Sequence, residues 1–280
     1  DILELLQYTF FQHALLGSLF ASIACGIIGT YIVTVGLFYQ GGITHASFGG
    51  IGIGLYTGIS PLLTAAIFSV LSAFGVEWLS KRSDMREDSA IAVFWTFGMA
   101  IGIIFSFLAP GFTPDLSSFL FGIYLPSHKV NTAAWYTEYS AYHILFTVST
   151  PIVAIAFDRE FARSQHLPVA TFEYLLMMFI ALTIVSCLRM VGIVLAISLL
   201  TLPQMTANLF TSRFKNIIWL SIGIGYISCL GGLLFSYKYQ IPSGAAIIFI
   251  SILIYVAAKS AGSSVNRNKY SRFYLLLQEQ

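Results

Sequence analysis

Long apolar stretches alternate with short polar breaks along most of the chain. Each stretch is close to the roughly 20 residues that an α-helix needs to cross the hydrocarbon core of a bilayer. The stretches run over residues 14–37, 43–59, 61–79, 90–108, 142–157, 174–188, 191–210, 217–235 and 244–258. The pattern therefore predicts an all-α, polytopic bundle of about eight to nine transmembrane helices in a single domain, preceded by an interfacial segment at residues 1–12.

The region between the fourth and fifth stretches departs from this pattern. Pro110, Gly111 and Pro114 interrupt the chain before a short apolar piece at residues 116–125. That piece is too short to cross a bilayer alone, so we expect it to be re-entrant or interfacial. Residues 126–142 are polar and aromatic, which is typical of a loop at the lipid headgroups, where Trp and Tyr residues accumulate.

Composition excludes a soluble globule. Hydrophobic residues make up 57% of the 280 residues and charged residues only 9%, with a mean hydropathy of +0.82. Soluble domains carry about a quarter charged residues. The net charge of +2 comes without a dense basic face, so nucleic-acid binding is not expected. Cys25, Cys187 and Cys229 lie inside apolar stretches without metal-ligand spacing, which predicts small buried residues.

The basic residues orient the predicted bundle. If the breaks at residues 80–89, 158–168 and 211–216 share one side with a C-terminal tail at 259–280, eleven of the fourteen Lys and Arg residues lie on that side. They are Lys81, Arg82, Arg86, Arg159, Arg163, Arg213, Lys215, Lys259, Arg267, Lys269 and Arg272. Because cytoplasmic loops carry an excess of Lys and Arg, this side is predicted to be cytoplasmic. Nine spans then place the N-terminus outside and the C-terminus inside.

The second apolar stretch is unusually rich in glycine and contains a histidine. It begins Gly-Gly-Ile-Thr-His-Ala-Ser-Phe-Gly-Gly at Gly41. Such glycines let helices approach closely, or let a helix bend beside a transport path. An imidazole inside a membrane span is costly unless it is hydrogen-bonded or lines a cavity, and it is a common metal ligand. His45 is therefore interpreted either as a pathway residue or as a hydrogen-bonded structural histidine.

A short charged segment at residues 156–168 separates two spans on the predicted cytoplasmic side. Asp158 is placed to cap a helix there, and Pro168 is expected to end it. The helix is predicted either to rest on lipid or to dock a cytosolic partner. Glu77 and Arg189, near span ends, are expected to extend towards an interface. The sequence contains no P-loop, HExxH motif or Ser/His/Asp arrangement, so a hydrolase is not supported.

Seven motifs carry a resemblance to a known family and cover the chain from about Leu3 to Ala258. In order they are LLQYTFFQHALLGSLFASIACGIIGTYIV, ITHASFGGIGIG, REDSAIAVFW, DLSSFLFG, AFDREFARSQHLPV, LRMVGIVLAISLLTLPQMTANLF and YQIPSGAAIIF. The chain resembles the membrane permease subunit of bacterial ABC-type zinc, manganese and iron importers, the ABC-3 family.

The resemblance implies a set of partners and a location. Two copies of such a subunit pair around a central path in the bacterial cytoplasmic (inner) membrane and sit on two cytoplasmic ABC ATPase subunits. A periplasmic or lipid-anchored metal-binding protein delivers the ion. The permease itself has no ATPase activity and binds no permanent cofactor; the metal ion is its cargo, and the partner subunit uses the ATP.

The resemblance also implies roles for particular residues. The segment at 158–168 matches the cytoplasmic helix that docks on the ATPase, which assigns coupling to Asp158, Arg159, Glu160, Phe161 and Arg163. In the second span, the family pattern D-x-x-x-H pairs an aspartate with a histidine one helical turn later.

In this chain the histidine of that pattern is His45, with Thr44 and Ser47 beside it, and the aspartate position is Gly41. A metal site at this point therefore lacks its usual carboxylate. The coupling segment carries His166 where the family usually has a glycine.

These observations favour a permease for a divalent metal ion, Zn, Mn or Fe, in an ATP-driven importer. Three alternatives remain from the sequence. The cargo is a chelated metal, the chain is a gradient-driven secondary transporter, or it is a membrane scaffold without transport. A secondary transporter calls for intramembrane carboxylates, which are scarce in the predicted spans.

Overall fold

The structure, a computed structural model, describes residues 7–35, 40–82, 86–110, 159–166 and 168–278. Within these ranges every regular element is an α-helix, which confirms the predicted all-α fold. The helices are α1 (Thr9–Val35), α2 (Gln40–Thr57), α3 (Pro61–Arg82), α4 (Glu87–Leu108), α5 (Arg159–Ser164), α6 (Val169–Val191), α7 (Ile193–Asn208), α8 (Phe214–Tyr239) and α9 (Ser243–Gln278).

Six of these helices are long and apolar enough to cross a membrane: α1, α3, α4, α6, α8 and α9. They differ in how much protein surrounds them. In α1, 67% of the apolar window is buried inside the bundle, whereas in α4 only 17% is buried. α1 is therefore a central helix, and α4 presents most of its surface outward, where lipid or another subunit can cover it.

Two further helices, α2 and α7, are short. α2 has 18 residues and α7 has 16, so α7 extends about 24 Å at 1.5 Å per residue, less than the roughly 30 Å hydrocarbon core. Its Leu195, Leu199 and Leu200 are buried. Because protein rather than lipid surrounds α7, its ends need not reach the membrane surfaces.

Several predicted boundaries shift. The predicted span at 191–210 starts later, because Gly192, with φ = +80°, separates α6 from α7. α1 begins at Thr9, inside the predicted interfacial segment. α9 continues to Gln278, through the predicted tail, although its apolar part ends at Ala261. The expectations for residues 111–158, including a re-entrant piece, a loop and a span at 142–157, fall outside the described residues.

Contacts between helix ends support the predicted topology. The Tyr31 ring, near the end of α1, lies 5.0 Å from that of Phe214, which begins α8. The Phe74 ring in α3 lies 5.4 Å from that of Tyr174 in α6. Since α1 to α4 run alternately, these contacts bring the end of α1, the end of α3 and the starts of α6 and α8 to one side. That side carries the basic loops predicted to be cytoplasmic.

Candidate metal pathway and coupling segment

Glycines hold α2 against α4 without intervening side chains. A Cβ atom on Gly52 would collide with the backbone of Gly102, and one on Gly98 would collide with the backbone of Ala46. Contacts of this kind need a residue without a side chain on at least one helix. α2 is also continuous from Gln40 to Thr57. Of the two uses predicted for its glycines, the structure favours close packing over a bend.

A second glycine face on α2 packs against α3. A Cβ atom on Gly50 would collide with Ala65, and one on Gly54 would meet Pro61. α2 is thus enclosed on two sides, and its backbone position is determined by both neighbours.

His45 lies on α2 at the contact with α4 and is half-buried. Its imidazole stacks on the indole of Trp95, with ring centroids 4.2 Å apart and planes 6° from parallel. The Nδ1 atom of His45 is buried and has no hydrogen-bond partner among the described residues. A structural histidine would be expected to use that nitrogen. Sequence reasoning missed Trp95, because nothing in the spacing of the two residues indicates that they meet.

Thr44 and Ser47, predicted beside His45 on the pathway, are both fully buried. The hydroxyl of Ser47 donates to the backbone carbonyl of Thr44. Of the three predicted pathway residues, only His45 is partly exposed in this conformation.

The position of the missing carboxylate has room for a side chain. Among the described residues, a Cβ atom on Gly41 would have a single neighbour within 4 Å, the Trp95 ring at 3.9 Å. Among the residues that the structure describes, no group of three or more His, Cys, Asp or Glu side chains could hold a metal ion. The described part of the site is therefore one imidazole beside an indole, with open space one turn away.

The coupling segment contains a shorter helix than the sequence predicts. Within the described residues α5 covers Arg159–Ser164 and ends four residues before Pro168. Ala162 is buried and packs with Val169 and Phe172 of α6, so the two helices are joined by an apolar contact. Arg163 is exposed. Asp158 and the side chains of Arg159, Glu160 and Phe161 fall outside the described residues.

The end of α5 corrects the expectation for Pro168. His166 ends the helix in the left-handed conformation, with φ = +57°, and its N–H donates to the Arg163 carbonyl at 3.0 Å. The carbonyl of Pro168 accepts from the N–H of Phe172 and thereby opens α6. The left-handed position after a helix is usually glycine, so a non-glycine residue here carries some strain.

A buried glutamine connects α7 to α1. Pro203 has no N–H, so the Leu199 carbonyl loses its usual helical donor. The side-chain amide of Gln204 donates to that carbonyl at 3.1 Å and to the Cys25 carbonyl of α1 at 2.7 Å. The amide occupies the space beside Gly29 that a side chain would fill. A Pro-Gln pair in an apolar run was a sequence signal for this contact, because a polar residue in a span needs a partner.

Three other sequence expectations have different outcomes. Glu77 is only 5% exposed, so it packs inside the bundle, and the expectation that it reaches an interface is wrong. The side chain of Arg189 lies outside the described residues. The three cysteines are free and buried, as predicted, and the sulfur atoms of Cys25 and Cys187 are 3.5 Å apart.

The fold and site together define a polytopic α-helical membrane protein with a half-buried histidine at a glycine-lined helix contact. Comparison with known proteins identifies it further. The model of the ABC 3 transport family matches residues 7–261. The chain belongs to this family, and it is a multi-pass membrane protein.

Relatives and a solved structure agree over nearly the whole chain. A manganese transport system membrane protein of Halalkalibacterium halodurans is 33% identical over 91% of this chain and 88% of its own length. A probable iron transport system membrane protein of Haemophilus influenzae is 32% identical over 92% and 95%. The structure of PsaBC from Streptococcus pneumoniae in complex with Fab contains a chain with the same fold, with a TM-score of 0.80 and 24% identity over 92% and 95%.

Proposed function

We propose that this chain is the permease subunit of an ATP-driven importer that moves a divalent metal ion into the cytoplasm. The observation that carries the proposal is His45, a half-buried imidazole on a membrane helix whose Nδ1 has no hydrogen-bond partner among the described residues. Imidazole suits zinc, iron and related ions. The names of the relatives, manganese and iron transport proteins, support the same cargo class.

The site is suited to transient contact rather than storage. One imidazole without a carboxylate provides few ligands, and a metal ion bound by few ligands is released easily. A transporter requires this, because its cargo must leave the site as readily as it enters. The permease needs no ATPase activity of its own in this account; ATP is used by a cytoplasmic ABC ATPase dimer.

α5 is proposed to receive the movement of that ATPase. The helix lies on the predicted cytoplasmic side. Its Arg163 is exposed, and its buried Ala162 contacts α6. A displacement of α5 would therefore act directly on α6. Asp158, Arg159, Glu160 and Phe161 remain proposed coupling residues. A second copy of the chain and a metal-binding protein outside the membrane complete the proposed importer.

Gly41 supports a second candidate, a chelated metal as cargo. Glycine at this position removes the counter-charge that an aspartate would give to a bare ion. A metal that arrives with its own anionic ligands would not need one. Among the described residues, only the Trp95 ring lies within 4 Å of a Cβ atom placed on Gly41.

Uptake into membrane vesicles tests the proposal. The chain is reconstituted with its ATPase and metal-binding partners, and uptake of radiolabelled Zn, Mn and Fe is measured with and without ATP on the cytoplasmic side. We expect ATP-dependent uptake of at least one ion, reduced by His45→Ala. Uptake driven by an ion gradient without ATP would contradict the proposal. Competition by a chelated form of the same metal separates the two cargo candidates.

The coupling role has its own test. Asp158→Lys and Glu160→Lys reverse charges on the segment proposed to dock on the ATPase. We expect both variants to enter the membrane but to lose ATP-dependent uptake. Uptake at the wild-type rate in both would remove the coupling assignment and leave the cargo assignment intact.

A further inference from the structure

Trp95 is the residue that lies against the proposed metal ligand. Its indole covers one face of the His45 imidazole, with planes 6° from parallel. The indole is still 41% exposed, so this contact does not bury it.

A histidine that binds metal has to be held in one orientation. In most metal sites the second ring nitrogen donates a hydrogen bond to a carboxylate or carbonyl, which fixes the ring. The buried Nδ1 of His45 has no such partner among the described residues. Among the described residues, the contact that can orient this imidazole is therefore the stack with Trp95.

The stack with Trp95 supplies that contact. The lone pair with which a neutral imidazole binds a metal lies in the plane of its ring, so an indole on one face leaves the metal-binding direction free. Rotation of the imidazole about its Cβ–Cγ bond would drive the ring edge into the indole only 4.2 Å away. We propose that Trp95 is a positioning residue that holds His45 in the orientation that receives the transported metal ion, an inference that rests on the proposed function.

The helix contact keeps Trp95 itself in place. On the side towards the start of α4, Ile91 fills the space beside Gly42 of α2. On the other side, Gly98 touches the backbone of Ala46. α4 is thus fixed to α2 both before and after Trp95. Gly41 adds no side chain next to the indole, which keeps its edge uncovered.

Metal affinity measures the proposed role. Mn²⁺ binding to the detergent-solubilised permease is followed by equilibrium dialysis with radiolabelled Mn²⁺. Since ordering one side chain on binding carries a modest cost, Trp95→Leu should weaken Mn²⁺ affinity about threefold to tenfold. Trp95→Phe retains an aromatic face and should restore most of the affinity. Trp219→Leu is the matched control, because Trp219 is 74% exposed on α8 and should not affect binding.

A second measurement leaves Trp95 intact. In a variant with Trp78, Trp135 and Trp219 replaced by Phe, Trp95 is the only fluorophore of its kind. Mn²⁺, a paramagnetic ion, should quench its emission when it binds at the adjacent imidazole. His45→Ala in this background should abolish the saturable quenching. Equal saturable quenching in the presence and absence of His45 would show that Mn²⁺ binds there without the imidazole, which overturns the proposed function and, with it, the positioning role.

The outcomes distinguish the inference from the function on which it rests. If Trp95→Leu folds and binds Mn²⁺ as tightly as wild type while His45→Ala does not, the positioning role is wrong and the proposed function stands. If His45→Ala binds and imports Mn²⁺ like wild type, the proposed function itself fails. Weakened binding in Trp95→Leu, with rescue in Trp95→Phe, supports both.

Discussion

The contact between α2 and α4 and the contact between α1 and α7 hold helices together by different means. α2 and α4 meet through glycines, with backbone against backbone and little polar contact. α1 and α7 meet through a glutamine that donates to a carbonyl on each helix, next to Gly29, which lies close to the Leu200 backbone. Close packing tolerates little displacement, whereas hydrogen bonds can be exchanged. The first contact is suited to holding the His45–Trp95 pair in place, and the second adds a polar link that a substitution can remove without a steric clash.

The glycine contact should be the more sensitive to substitution. Gly98→Val places a side chain on the Ala46 backbone, which cannot retreat, and should destabilise the fold by about 3 kcal/mol. The fraction folded in a titration with sodium dodecyl sulfate in mixed micelles measures the change. Gly223→Val is the matched control, because a Cβ atom there has no neighbour within 4 Å. Equal losses from both variants would contradict the close-packing account.

At the glutamine contact, a second substitution should reduce the free-energy cost of the first, which is not expected at the glycine contact. Gln204→Leu removes the donor to the Leu199 and Cys25 carbonyls, and we expect a loss of about 2 kcal/mol. Pro203→Ala restores the backbone donor to Leu199. In that background the same Gln204→Leu change should cost only about 1 kcal/mol. Identical costs in the two backgrounds would show that Gln204 does not replace the hydrogen bond that proline removes.

Gly41→Asp tests whether the metal site at His45 lacks a carboxylate ligand at position 41. The aspartate would lie one turn before His45 on the same helix face, and the space beside Trp95 admits it. Adding a carboxylate ligand should raise Mn²⁺ affinity about tenfold or more and slow release. Gly41→Asn, of similar size without charge, is the control. Equal affinity in Gly41→Asp and wild type would place the metal away from this turn.

The smallest effect is expected at the end of α5. His166 holds a left-handed conformation that glycine adopts without strain. His166→Gly should therefore stabilise the segment, by less than about 1 kcal/mol. Hydrogen exchange of the α5 amides measures this locally, with Gln165→Gly as the control at a neighbouring position. Faster exchange in His166→Gly would show that histidine stabilises this turn.

The sequence predicted the features that depend on pattern. Apolar stretches of spanning length predicted the all-α bundle, and glycine density predicted the close contact of α2. It did not reveal contacts between distant residues. Trp95 and His45 are 50 positions apart in the sequence, and no periodicity links them. The sequence also did not reveal the burial of Glu77. A charged residue near the end of a span is predicted to reach the membrane interface unless its neighbours in other helices are known.

Helix boundaries were the least predictable part of the fold. The break at Gly192 depends on a positive φ in one residue of an otherwise continuous apolar run. The sequence predicts that Pro168 ends α5. In the structure the left-handed residue His166 follows the helix, and Pro168 directly precedes α6. A proline fits the start of a helix as well as the residue after one, so its presence alone does not choose between them.

The role of His45 in the metal pathway is tested most directly by ATP-driven Mn²⁺ uptake into proteoliposomes. These carry the whole importer with either the wild-type chain or the His45→Ala variant. The two permeases are matched for amount and for ATPase assembly. We expect His45→Ala to lose most of its uptake while it still assembles and folds. Uptake at the wild-type rate and with the wild-type dependence on Mn²⁺ concentration would contradict a role for His45 in the metal pathway.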